Sequence, residues 1–247
     1  MELSVTAALI FLSHLLFSQS PLHEYHLIGI DDHVDYKIRI EEDFENEMIS
    51  FKTGKDVLLI HDVRSVDTVI THLERFLEVK LRIRGGSGVK VREKILLCVN
   101  AGKIFINLLV RSDVESKLTK VYDKVADSLK LFDEEEQYHV NISIEEKSNS
   151  FIATLIESNY VRSKFDPSQN ESFKETYPLN FDTNGYYFFN SSKNLNDKFK
   201  LYSYKENKYF EKFLSTEAPA IELANGSYFF IDGIWYTEGR DNILLYR

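Results

Sequence analysis

Apolar and polar positions follow two rhythms along the first half of the chain. Val66, Val69, Ile70, Leu73, Phe76 and Leu77 keep the i, i+3, i+4, i+7 spacing of an amphipathic helix, with Ser65 as its N-cap, and predict a helix over residues 66–80. Ser112-Asp113-Val114-Glu115 has the form of a capping box. Val114, Leu118, Val121, Val125, Leu129 and Phe132 continue one face and predict a second helix. Strand-like runs flank both, at 57–63 and 103–110 before them and at 80–84 and 138–145 after them. Two helices with one apolar face each pack side by side on one face of a mostly antiparallel sheet, an α+β layer.

The segments leading into the two predicted helices echo each other. Gly54-Lys55 and then Val63-Arg64-Ser65 precede the first; Gly102-Lys103 and then Val110-Arg111-Ser112 precede the second. A duplicated strand–helix–strand unit offset by about 48 residues accounts for this, and so does chance similarity of short strand-to-cap segments.

Beyond residue 150 the rhythm changes. Phe, Tyr and Asn concentrate there, and no long helical pattern occurs. Runs at 183–189, 198–204, 220–223, 228–231 and 234–237 read as short strands between Asn, Gly and Asp turns, with Asp232-Gly233 as a tight hairpin signal. Pro167 and Pro178 mark the stretch between the halves. The expected organisation is an α+β domain over 21–150, a linker over 151–178, and a small all-β, aromatic-rich module over 179–247.

At the N-terminus, residues 5–17 (VTAALIFLSHLLF) form an apolar run followed by Ser18-Gln19-Ser20. A short apolar stretch ending in small residues is the pattern of a secretory signal peptide, read here as residues 1–20; a buried N-terminal helix is the alternative. Glu2 and the missing Lys or Arg depart from that pattern, and Pro21 disfavours cleavage directly after Ser20. The run is shorter than the ~20 residues of a membrane span, so the expectation is a soluble, exported protein with no transmembrane segment.

Composition narrows the function. Of 247 residues, 43% are hydrophobic and 28% charged, a globular balance, and a net charge of −9 argues against a general nucleic-acid binder. The single Cys98 excludes an internal disulfide framework and a Cys-based zinc cluster, and its apolar run at 95–99 marks it as an inert core residue. Asn141, Asn170, Asn190 and Asn225 each open a glycosylation sequon.

Candidate chemistry is sparse. His23, His26, Asp31, Asp32, His33 and Asp35 bring metal-ligand types together, although a solvated loop is the usual fate of such a run. A mature start at Pro21-Leu22-His23 would add a square-planar copper or nickel site. Lys80, Arg82, Arg84, Lys90, Arg92 and Lys94 alternate with apolar residues around Gly85-Gly86-Ser87-Gly88. A five-residue loop puts all six on one face as an anion-binding patch for a sulfated glycan, lipid head group or phosphate; a four-residue loop mixes the faces. Outside carboxylates compensating an exposed face are the alternative. The glycine run lacks the Gly-Lys-Ser/Thr ending of a nucleotide loop. His61, Asp62, His72, His139 and Glu134-Glu135-Glu136 fall in no catalytic motif, and no cofactor motif is present.

In the second half, Tyr177-Pro178-Leu179-Asn180-Phe181-Asp182, the Lys/Tyr/Phe strands at 198–213, and Asn225-Gly226-Ser227-Tyr228-Phe229-Phe230-Ile231-Asp232-Gly233-Ile234-Trp235 together resemble the FAINT-repeat secreted proteins of tick-borne apicomplexan parasites. The resemblance covers only the second half, and the predicted helices depart from that family's mostly β pattern. It implies an exported protein acting in or on a host, without catalysis, its sequons unused. The reading is then a secreted, non-enzymatic binding protein for a protein partner or an anionic ligand, with Trp235 and Tyr236 as interface anchors. A secreted hydrolase or a lipid- or small-ligand-binding α+β protein is the alternative.

Overall fold

A computed structural model describes residues 23–83, 89–123, 128–148, 150–163, 168, 170–224, 226–238 and 243–246. The segment 1–20 expected as a signal peptide, Pro21 and Leu22 of the expected copper or nickel site, and Arg84 lie outside the described residues. Four strands, β1 (His23–Ile28), β2 (Asp35–Asp43), β3 (Met48–Thr53) and β4 (Asp56–His61), form an antiparallel meander in chain order. Eight more form a second meander: β5 (Val63–His72), β6 (Phe76–Ile83), β7 (Val89–Asn100), β8 (Lys103–Asp123), β9 (Ser128–Lys147), β10 (Ser150–Ser163), β11 (Glu171–Asp182) and β12 (Tyr187–Phe189). The last five are β13 (Ser191–Ser203), β14 (Lys208–Leu223), β15 (Gly226–Ile231), β16 (Ile234–Glu238) and β17 (Ile243–Tyr246). They close a barrel through parallel pairing of β13 with β17.

This overturns the α+β expectation: the described residues contain no α-helix. Residues 66–80 are the hairpin β5–β6, turning at Leu73-Glu74, which take φ of 52° and 55°. Two successive left-handed residues make the primed turn that suits a hairpin, yet neither is the Gly, Asn or Asp that announces one. Tertiary bonds hold the turn instead. Ile28 N donates to Glu74 O at 2.6 Å, and Arg75 Nη1 donates to the carbonyls of Gly29 and Ile30 at 3.0 and 3.2 Å.

The described part of the second predicted helix is likewise strand, the end of β8 and the start of β9, with residues 124–127 outside the described residues. Its spacing misled because steps of four, as in Val114 and Leu118, keep one face of a strand as well as of a helix. The duplication falls with the helices. Gly54 opens a turn and Val63-Arg64-Ser65 starts a new strand, whereas Val110-Arg111-Ser112 lies inside the continuous β8. Residues 151–178, expected as a linker, are where β10 and most of β11 pair within the large sheet.

One continuous core joins the parts. β6 and β7 sit at its centre, buried on alternate sides at Phe76, Leu77 and Val79 and from Ile95 through Val99. Phe76 meets Phe151, Phe181 and Phe188 at 4.9, 5.7 and 5.7 Å, so the far strands of the large sheet fold back over the near ones. Leu27, Ile38, Phe51 and Ile60 of the first sheet enter the same core, and so do Ile221, Tyr228 and Trp235 of the barrel. Asn107 and Ser112 are the extra residues of two bulges in the 21-residue β8, and bulges add the bend such a long strand needs.

Candidate functional site

Strand register settles the geometry of the basic segment. Lys80 pairs opposite Lys94 and Arg82 opposite Arg92, the register of a five-residue loop, so the five described cations share one face. Like charges directly opposite repel, and flanking strands supply the counter-charge. Asp67 is the extra residue of a bulge in β5; it bridges Arg82 at 3.1 Å and Arg92 at 2.5 Å. Glu115 of β8 takes Lys90 and Arg92 at 3.3 and 3.2 Å. Asp113 takes Lys80 and His139 at 2.8 Å each, and Ser112 Oγ donates to it at 2.8 Å. Glu78 holds Lys94 and His72, both at 2.8 Å.

Burial opposes the charge on Glu78 and Asp113, but their cationic and hydrogen-bonding partners outweigh it and hold both carboxyls below the usual range. All five described cations are therefore paired, and the face is a charge-matched sheet surface rather than an open anion patch.

The two aromatic anchors are buried. Trp235, 3% exposed, donates Nε1–H to the Ile106 carbonyl at 2.8 Å and packs on Phe230, while Tyr236 is 5% exposed in the barrel core. Both hold the fold and present no ring to a partner. With Tyr228 OH accepting from Arg111 N at 2.9 Å and Ala224 N donating to Glu157 at 2.9 Å, Trp235 fastens the barrel to the large sheet. Among the described side chains of the barrel the exposed rings are Tyr209 and Phe213, 54% and 63% exposed on one face of β14, opposite Tyr202 and Lys198. Lys200 Nζ lies 4.5 Å from the Tyr209 ring, a cation–π contact.

The His/Asp run serves the loops around it. Asp32 accepts from Tyr36 OH at 2.5 Å and from Ala101 N at 2.9 Å. Asp31 accepts from Tyr186 OH and from Asn100 Nδ2. Arg75 Nη2 donates to His33 Nδ1 at 3.1 Å, and His26 faces Asp35 at 3.2 Å. Among the described residues no three His, Cys, Asp or Glu side chains converge as metal ligands. Cys98 is fully buried, accepts from Asn107 Nδ2 at 3.0 Å, and burial pushes its thiol up to about 12. No described helix is long and apolar enough to cross a membrane. Asn190 holds Glu222 through both its amide O and N, at 2.9 and 3.2 Å, so its sequon is engaged in the fold.

The polar cleft that sequence reasoning missed lies between the first sheet and the barrel. It encloses ≈ 480 Å³ and is lined by Asn46, Glu47, His61, Asp62, Tyr202, Tyr204, Lys205 and Asn207. Three turns converge there: those joining β2 to β3, β4 to β5, and β13 to β14. The Tyr202 ring lies 5.1 Å from Tyr204 and 4.8 Å from Tyr209, and its OH donates to Asn207 Oδ1 at 2.5 Å. These residues are scattered across 160 positions of chain with no shared motif; only the alternation Tyr202-Ser203-Tyr204 before a turn hinted at them.

No family model, curated protein or solved structure matches the chain.

Proposed function

We propose that this chain is an exported, non-enzymatic binding protein whose aromatic-rich barrel makes the contact, through the outer face of the β13–β14 hairpin. One observation carries the reading. With Trp235 and Tyr236 committed to the interior, Phe213 and Tyr209 are the exposed rings among the barrel's described side chains, and Phe213 is the most exposed large apolar side chain among the described residues. Aromatic rings are enriched at interface hot spots, and the same outer face carries Lys198, Lys200 and Glu211 beside them, with Lys198 paired to Glu211. The partner surface that fits is a protein surface with an apolar pocket for these rings. The signal-like residues 1–20 and the resemblance to FAINT-repeat proteins support export towards a host.

Two measurements test this. N-terminal sequencing and intact mass of the native protein should begin near Gln19 or Pro21; a retained Met1 would remove the export reading. Labelled protein should bind host-cell surfaces saturably, and the double variant Tyr209→Ser/Phe213→Ser should abolish that binding with stability changed by no more than about 0.5 kcal/mol, as for exposed positions. Equal binding by the double variant would refute the hairpin as the contact.

A further inference from the structure

The tyrosine-lined cleft adjoins the hairpin face at Tyr202, which packs on Tyr209, but its reading does not depend on the hairpin contact. We propose that it is a binding site for a neutral carbohydrate. Its ≈ 480 Å³ falls in the range of small-molecule sites, about 300–1,000 Å³. The chemistry of its walls narrows the ligand. Tyr202 and Tyr204 give half-buried ring surface, on which the C–H face of a pyranose packs. Around them stand two amides, two carboxylates, an imidazole and an ammonium: Asn46 and Asn207, Glu47 and Asp62, His61, Lys205. Together they bring both donors and acceptors to one lining, which matches a polyhydroxyl ligand, since every sugar hydroxyl both gives and takes a hydrogen bond.

Other ligand classes fit worse. A nucleotide also stacks on tyrosine, but its phosphates would meet Glu47 and Asp62 with Lys205 as the one Lys or Arg in the lining. A lipid tail needs an apolar wall, and aliphatic side chains are missing from this lining. The apolar recess of ≈ 290 Å³ lies elsewhere, around Leu58, Ile104 and Phe230.

Both walls are fixed before any ligand arrives. Val63 N donates to Glu47 O at 2.9 Å, tying the β2–β3 turn to the start of β5, and Asn46 bonds Asp43 through its backbone N and its side-chain Nδ2. Across the cleft, Glu206 N donates to Ser203 Oγ at 3.1 Å, and Tyr202 holds Asn207. Glu47, Asp62 and Asn207 take φ of 48°, 57° and 50°, the left-handed conformation that turns each of these polar side chains at a tight corner of the chain. A pre-set wall lowers the ordering entropy that binding must overcome.

The test titrates the full chain with three neutral trisaccharides, cellotriose, triacetylchitotriose and mannotriose, by calorimetry and tyrosine fluorescence, with adenosine monophosphate alongside. At least one trisaccharide should saturate with a Kd of about 1 mM or tighter. Tyr204→Ala should weaken it by about tenfold or more, and Lys205→Ala, at an exposed turn position that keeps the fold, should also weaken it. Phe213→Ser, whose partner across the hairpin is Lys198 rather than a cleft residue, should leave the affinity within about twofold, which separates this site from the hairpin contact. No saturable binding of any trisaccharide would overturn the proposal. So would tighter binding of the mononucleotide, or undiminished sugar affinity in Lys205→Ala.

Discussion

Glu78→Gln removes one negative charge from the centre of the large sheet while keeping the side chain's shape. The Glu78 side chain is 3% exposed and its partners Lys94 and His72 are 10% and 17% exposed, so the pair to Lys94 is buried rather than surface-screened. Deleting one member of a buried pair strands the other, at a cost of about 3–5 kcal/mol, whereas an exposed pair contributes about 0–1 kcal/mol. Lys94 also lies directly opposite Lys80, so losing Glu78 leaves two like charges facing each other with only Asp113 to balance them.

The expected loss for Glu78→Gln is therefore about 3 kcal/mol or more in urea unfolding at neutral pH. Lys94→Met should cost a similar amount. The double variant should recover at least about 2 kcal/mol of the summed loss, because both buried charges leave together. The pH dependence has a definite sign. Glu78 and Asp113 lie below their ordinary values of 4.5 and 3.8, so the stability they contribute is complete above those values and is lost as pH falls through the lower folded ones. Wild type should weaken steeply in that acid window, and Glu78→Gln less steeply. A single-variant loss within about 0.5 kcal/mol, with additive double-variant behaviour, would refute the reasoning.

Three further outcomes are expected. Trp235→Phe leaves the Ile106 carbonyl without its donor and should cost about 1–3 kcal/mol, read by urea unfolding; no loss would mean the barrel is fastened elsewhere. Cys98, with its thiol pushed up to about 12 and no exposed surface, should react with a thiol reagent only as fast as the chain unfolds, and a rapid native-state reaction would contradict that burial. Leu73→Asn/Glu74→Gly places favoured residues at φ of 52° and 55° and should stabilise by about 1 kcal/mol in thermal unfolding; destabilisation would show that the Leu73 side chain matters more than the backbone strain.

In the second half the hairpin β15–β16 was legible because its turn is Asp232-Gly233, where both residues take positive φ, whereas β10 and most of β11 read as linker and β14 only at 220–223. The β5–β6 hairpin of the first half was not, because its turn is built from ordinary residues. Leu73-Glu74 and Ala101 adopt the left-handed conformation against their local preference, held by partners distant in sequence, such as Ile28 and Asp32. Apolar residues then filled the gap between two strands and imitated a helical stripe. Bulges deepened the disguise. Each extra residue, at Arg64 and Asp67 of β5, reverses the facing of the residues after it, so a strand loses its period of two when read from sequence alone.

The same bulges decide which charged residues remain available for function. The alternating cations at 80–94 were visible in sequence, but the face they share depended on a loop length that only the register decides. The acids that neutralise them were not, because Asp67 reaches Arg82 and Arg92 only through its bulge and Asp113 reaches Lys80 across an intervening strand. A patterned charge run in the middle of a sheet is thus met by the neighbours the meander brings beside it. Turns have fewer such neighbours, and the tyrosine cleft gathers its polar groups from three of them, where side chains are positioned by short local bonds and still face an open volume. Composition put the aromatics in the right half of the chain. Register then divided them, sending Trp235 and Tyr236 inward and leaving Tyr202, Tyr204, Tyr209 and Phe213 for contact.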